Sequence, residues 1–261
     1  MKIPKATLAL AFLVAGAYFF FSGGALYMTD DRIRELAFQY SRFPLGLVTH
    51  PLVHVGVEHL FGNLVPLLVF GAVLEPLVAG FDVILLFFLS TMIASSLFSV
   101  YSPAFLAGAS AGIAGLMGAA IALRPKKTVA LAVAVPLFLL FALPLLSQVV
   151  GAYTAGLAQE KTALELNVTV LAAANRTAEA AGLNRTAAAV GEQIKGIERG
   201  AEREAVTPSD LMVHVYGAVF GVFYVFFLKR KQFRKGMGEL AGLGGQMWSS
   251  AKAIKSALAK K

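Results

Sequence analysis

The chain has no cysteine, which excludes disulfides, thiolate metal sites and a cysteine nucleophile. Charge is scarce as well, with Asp, Glu, Lys and Arg making up 15% of the 261 residues. The sustained apolar–polar alternation of a membrane β-barrel is missing, because the apolar runs are continuous. What is present is hydrophobic: 57% of residues are apolar and the mean hydropathy is +0.71. A soluble domain does not tolerate that value. The composition fits an all-α polytopic membrane protein, since lipid requires every backbone polar group to be paired internally.

Six spans of bilayer length can be drawn, at residues 6–27, 57–78, 82–101, 105–123, 128–150 and 209–228. The first follows Lys2 and Lys5 like a signal peptide, but no convincing small-residue cleavage site precedes the next polar stretch. It reads as a retained span. Residues 28–56 are polar to amphipathic, and 151–207 are Ala-rich with charges at helical spacing. The organisation expected is therefore a membrane domain over 1–228, with 151–207 inserted between the last two spans, and a basic tail over 229–261.

Basic residues set the orientation. Lys2, Lys5, Arg124, Lys126, Lys127 and the tail from Lys229 fall on one side of a six-span arrangement, which the positive-inside rule makes cytoplasmic. Summed over all charged residues, that side is strongly positive (about +11) and the opposite side slightly negative (about −3), which together give the net charge of +8. The basicity is thus a topology signal with an anionic-lipid contribution, not a nucleic-acid footprint. The tail, with Trp248 and spaced lysines, either lies on the inner leaflet or is a plain disordered basic segment. In the loop on the other side, Asn167, Asn175 and Asn184 all stand in Asn-x-Thr sequons. These point to glycosylation on an exoplasmic face, hence to an archaeal or eukaryotic host. An Ala/Thr-rich helix with accidental sequons is the other reading.

Polar groups at membrane depth are costly and are kept mostly for function. Ser110 stands in Gly108-Ala-Ser-Ala-Gly112, and His214 in the sixth span. Ser110 precedes Arg124 by ~21 Å of helix and His214 precedes Lys229 by ~22 Å, at 1.5 Å per residue. Both then lie about 10 Å below the outer edge of a ~30 Å core. A serine and its base need this shared depth to meet. Gly108, Gly112, Gly115 and Gly118 flank Ser110, while Gly217 and Gly221 come after His214. They permit close helix approach, and on that ground alone Ser110 could be no more than a small residue in a seam. The Gly-x-Ser-x-Gly match to a nucleophile elbow is discounted, because that motif needs a preceding strand.

His59 and Asn63 are four residues apart and share one helix face. An imidazole N–H and an amide NH2 so placed can donate to a single developing oxyanion. His50 and His54 lie just upstream, but there is no His-Glu-x-x-His and the spacing does not suit zinc. Neither a metal nor a cofactor is expected.

The His50-x-x-x-His54-x-x-x-x-His59-x-x-x-Asn63 run, the Gly-Ala-Ser segment and His214-Val-Tyr-Gly217-Ala-Val-Phe-Gly221 together resemble the rhomboid intramembrane serine proteases. The resemblance covers roughly 45–228. It implies a six-transmembrane-helix rhomboid-like bundle, here with a long helical extracytoplasmic insertion between helices five and six. It further implies a site open to the outside; with the charge pattern, the expectation is a plasma-membrane protein with cytoplasmic termini and a site on the exoplasmic side. Ser110 would be the nucleophile, His214 the general base, and His59, Asn63 and the Ser110 N–H the oxyanion hole. His50 and His54 would be structural or near-site residues. The substrates implied are transmembrane segments of other proteins, cut near their exoplasmic end through an acyl-enzyme.

Three departures from the family pattern stand out. Ala111 follows the serine where glycine is usual. Ala114 replaces an aromatic that packs on the histidine. The 151–207 insertion either caps or gates the site or is inert. No intramembrane aspartate completes a triad. Asp210 could orient His214, although Thr207-Pro-Ser-Asp210 reads better as a helix start capped by Thr207. The alternative function is a catalytically impaired rhomboid-like protein that binds membrane helices, which Ala114 keeps open. A transporter, needing no Ser110, is a third class.

Overall fold

The computed structural model describes residues 3–40, 45–206 and 211–242, with the side chains of 203–206 set aside. Thr207 to Asp210 therefore lie outside the described residues. The principal helices, in chain order, are α1 Lys5–Ser22, α2 Asp30–Leu36, α3 Leu45–Thr49, α4 Val57–Leu74, α5 Gly80–Ser99, α6 Ser110–Leu123, α7 Pro125–Ala173, α8 Thr177–Val206 and α9 Leu211–Leu228. Among the described residues there is no β-strand, only isolated bridges at Tyr27–Gly56 and Phe38–Leu106.

Among the described residues, five helices (α1, α4, α5, α7 and α9) are long and apolar enough to cross a membrane. α1 stops at Ser22, short of residue 27, because Gly23 and Gly24 take left-handed φ values of 63° and 81°. That conformation favours glycine and closes a helix. α6 departs furthest from the expected span at 105–123. It begins only at Ser110 and runs 14 residues, or ~21 Å against a ~30 Å core. The preceding segment is held in other pairings, Leu106 with Phe38 and Gly108 N–H with the His50 carbonyl at 2.9 Å.

A short α6 is tolerable because eleven of its fourteen residues are buried, packed by α4, α5, α7 and α9. Small residues make this enclosure possible. A Cβ on Gly112 would fall 2.7 Å from the Phe87 carbonyl, and one on Gly217 or Gly221 would overlap the backbone of Ala111 or Gly115. α6 and α9 thus touch backbone to backbone, where dispersion and tight packing replace the missing hydrophobic drive.

Two carboxylates fasten the basic side of the bundle. Glu75, after α4, accepts from the Ala6 and Thr7 N–H groups at 3.0 and 2.8 Å and from Thr7 Oγ1 at 2.7 Å, serving as a cap for α1 supplied from another helix. Asp82 of α5 accepts from Tyr224 Oη at 2.8 Å and pairs with Lys229 Nζ at 2.7 Å, tying α5 to α9.

α7 is one helix of 49 residues, ~73 Å at 1.5 Å per residue. It merges the expected fifth span, 128–150, with the first part of the insertion. After a turn through Asn175 (φ 62°), α8 folds back along it. The half-buried positions of α7, among them Leu157, Lys161, Leu164, Val168 and Leu171, recur at alternating spacings of three and four, the seam of a two-helix coiled coil. The tail is helical over 230–242, and Phe233 and Gly236 pack it beneath α6, so its first part is ordered against the bundle.

Candidate active site

Ser110 is the first residue of α6. No side chain caps this helix, and its first internal bond runs from the Ile113 N–H to the Ala109 carbonyl at 3.1 Å. The N–H groups of the first turn, Ser110 included, therefore point out of the helix toward the site. This end of the helix favours negative charge.

Helix register places His214 beside Ser110. The absent Cβ of Gly217 would overlap the Ala111 carbonyl, and that of Gly221 the Gly115 carbonyl, so α6 and α9 run parallel and in step. Ser110 lies one residue above Ala111, and His214 one turn above Gly217. Their Cα heights differ by about 3 Å at 1.5 Å per residue. Both side chains are half-buried. Ala114 is 6% exposed, so the position is closed off by its neighbours without a ring.

His59 and Asn63 arrive from α4. A Cβ on Gly108 would lie 2.9 Å from His59 Nε2 and 3.9 Å from Asn63 Nδ2. Gly108 itself has φ 111°, a conformation in which a side chain is strained. Glycine here serves both the turn and the two donors. Asn63 Nδ2 also donates to the His59 carbonyl at 2.9 Å, which fixes the amide and leaves its second N–H for a ligand. His59 and His214 are near enough to interact electrostatically. Ser110, His214, His59 and Asn63 are thus brought to one place.

His50 and His54 stand behind this group rather than in it. His50 joins the Gly46 carbonyl at 2.9 Å and Ser95 Oγ at 2.8 Å, while its own carbonyl holds Gly108. His54 is fully buried with its ring 5.1 Å from that of His59. Neither of its nitrogens makes a hydrogen bond of ordinary geometry, although the Leu52 carbonyl lies close by. Burial, with His59 adding to it, pushes His54 down to about 3. Burial likewise pushes His50 down to about 4, against the opposite pull of the Gly46 carbonyl.

An imidazole with a lowered folded pKa protonates first in the unfolded chain. Its contribution to stability is whole above the ordinary value of 6.5 and is lost as pH falls toward 4. The thermal midpoint in detergent is expected to hold from about pH 8 to 7 and to fall steadily below about 6.5, with a shallower fall for His54→Phe. A midpoint flat down to about pH 4.5 would remove this account.

The motifs of the sequence leave out the hydroxyls of α5. Ser90, Thr91 and Ser95 are all buried, Ser95 anchors His50, and Ser90 and Thr91 face Gly115 and Gly112. Their signal is available, as polar groups in an apolar span. It names no partner, because the partner is 45 residues away. Glu58, misplaced for zinc, instead accepts from Tyr27 Oη at 2.8 Å. No group of three or more His, Asp or Glu able to hold a metal occurs among the described residues.

No solved structure matches the chain. A family model described as the Rhomboid domain matches residues 39–173, which take in His50, His54, His59, Asn63 and Ser110 and end before α9. Matched over more than half of its length, this multi-pass membrane protein belongs to the rhomboid family.

Proposed function

We propose that the protein is an intramembrane serine endopeptidase that cuts transmembrane segments of other proteins near their exoplasmic end. The observation that carries this reading is the convergence of Ser110 at the bare N-terminus of α6, His214 on the facing helix within about 3 Å of its height, and His59 and Asn63 against Gly108. Such rhomboids are usually proteases. In the reaction, His214 takes the Ser110 proton as Oγ bonds to the scissile carbonyl carbon. The oxyanion is held by the Ser110 N–H, His59 and Asn63. His214 then protonates the leaving amine as the C–N bond breaks, and water hydrolyses the ester by the same steps.

A dyad suffices in this scheme. The carboxylates on the apolar helices near the site and below it are engaged elsewhere, Glu58 with Tyr27 and Asp82 with Tyr224 and Lys229. The test is cleavage of a single-span test substrate by the purified protein, together with labelling of Ser110 by an active-site-directed phosphonate. Absence of both supports the impaired, helix-binding alternative. In the orientation proposed, the termini are cytoplasmic and the α7–α8 hairpin stands outside the plasma membrane.

That orientation exposes the three sequons. Asn167, Asn175 and Asn184 are all exposed, two on helix flanks and Asn175 at the hairpin turn. Protein isolated from its own cells is expected to exceed 27.6 kDa by glycan increments that Asn→Gln changes remove one at a time. An intact mass equal to the bare chain would count against glycosylation.

A further inference from the structure

The root of the α7–α8 hairpin encloses a cavity of about 490 Å³, bounded by the connection after α1, the first turn of α4, α7 and α8. Its walls are largely apolar, among them Leu26, Val57, Val149, Gly196 and Ile197, with Tyr153 beside them. The volume falls in the ~300–1,000 Å³ range of sites that bind discrete ligands. α8 is held here firmly: Tyr27, Val150 and Ile197 form a buried cluster, and Gly200 lies directly on the Tyr27 ring.

Two features indicate what fills the cavity. Val149 is 65% exposed on the apolar stretch of α7, so the cavity is reached from the surface that lipid covers. Val57 lies two residues before His59, ~3 Å of helix rise. At about 100° per residue the two side chains leave α4 on nearly opposite sides. A polypeptide crossing the N-terminal end of α4 could therefore present its scissile carbonyl on one side and an apolar side chain on the other. At ~3.3 Å per extended residue, only a few residues separate the two points.

We propose that this cavity is an accessory substrate site, which takes one or two bulky apolar side chains from the substrate segment flanking the scissile bond outside the membrane. The proposal rests on the protease reading and adds a recognition element supplied by this chain's own hairpin.

Gly196 provides the test. It lines the cavity, and a Cβ added to it meets nothing within 4 Å. Gly196→Phe fills the space without displacing backbone, while Gly196→Ser leaves it open. Full-length protein would be assayed on two single-span substrates that differ only outside the membrane, one carrying Leu and Phe near the cut and one carrying Ser and Gly. The parent and Gly196→Ser should prefer the apolar substrate by about tenfold in KM, the scale expected for burying a large side chain. Gly196→Phe should abolish that preference and leave the rate on the Ser/Gly substrate unchanged. A parent without preference, or a preference that survives filling, overturns the proposal. Lipid as the occupant would show as loss of co-purifying lipid in Gly196→Phe with the preference intact, which also overturns it. Cleavage of neither substrate by the parent would overturn the protease reading, and the accessory site with it.

Discussion

Ser110→Ala and His214→Ala should each slow cleavage of a single-span substrate by at least about a thousandfold, with the double variant no slower than the worse single one. Each change removes half of a unit whose parts act only together, so the losses do not add. Folding should survive in both cases. Ser110→Ala deletes one hydroxyl from a helix start, where the N–H groups rather than the side chain shape the site. His214 is half-buried, and its loss leaves the neighbouring contact, Gly217 on Ala111, untouched. Thermal midpoints within a few degrees of the parent would separate loss of chemistry from loss of structure. The labels should also part: the phosphonate should mark the parent, and should fail on Ser110→Ala. Cleavage by Ser110→Ala above about one per cent of the parent rate would end the serine-protease reading.

Gly221→Val should be the most damaging change away from the reacting groups. Its Cβ would overlap the Gly115 carbonyl and lie 3.1 Å from the Ala119 nitrogen. Those are backbone atoms of the most enclosed helix, so no flexible side chain can give way. The expected cost is about 3 kcal/mol or more, at the upper end for overpacking. α9 must move outward, carrying His214 with it. A misplacement of about 1 Å at a reacting group is enough to lose roughly a hundredfold in rate. Gly182→Ala is the matched control, because a Cβ there meets nothing within 4 Å and alanine favours a helix by about 1 kcal/mol. Both variants would be compared by thermal unfolding in detergent and by cleavage. A Gly221→Val protein with the parent's midpoint and rate would contradict the backbone contact between α6 and α9.

The apolar runs were legible as helices because lipid leaves the backbone few alternatives, and α1, α4, α5 and α9 match them to within a few residues. The start of α6 was not. Residues 105–109 are as apolar as α6 itself, and only the pairing of Leu106 with Phe38 and of Gly108 with His50 keeps them out of the helix. Both partners lie in a stretch with no span of its own. The helical spacing of charges in 151–207 forecast helix, but could not say that its first part would continue α7 unbroken. Of the site, the shared depth of Ser110 and His214 and the common face of His59 and Asn63 could be counted along the chain. The left-handed Gly108, the Ser95 anchor and the Tyr27–Glu58 pair could not. Each depends on which segments meet, which periodicity does not encode.

The enclosure of α6 also bears on how this protein is made. A stretch of ~21 Å cannot reach across a ~30 Å slab of hydrocarbon, so bare lipid would leave its uncapped first turn without partners. It has to be received by helices already in place, and α9, which shares its longest contact, is synthesised almost ninety residues later. During biogenesis α6 must wait in a provisional setting until the last helix arrives. The step that completes the fold is then the same step that brings His214 to Ser110, so a half-assembled chain carries a serine with no base.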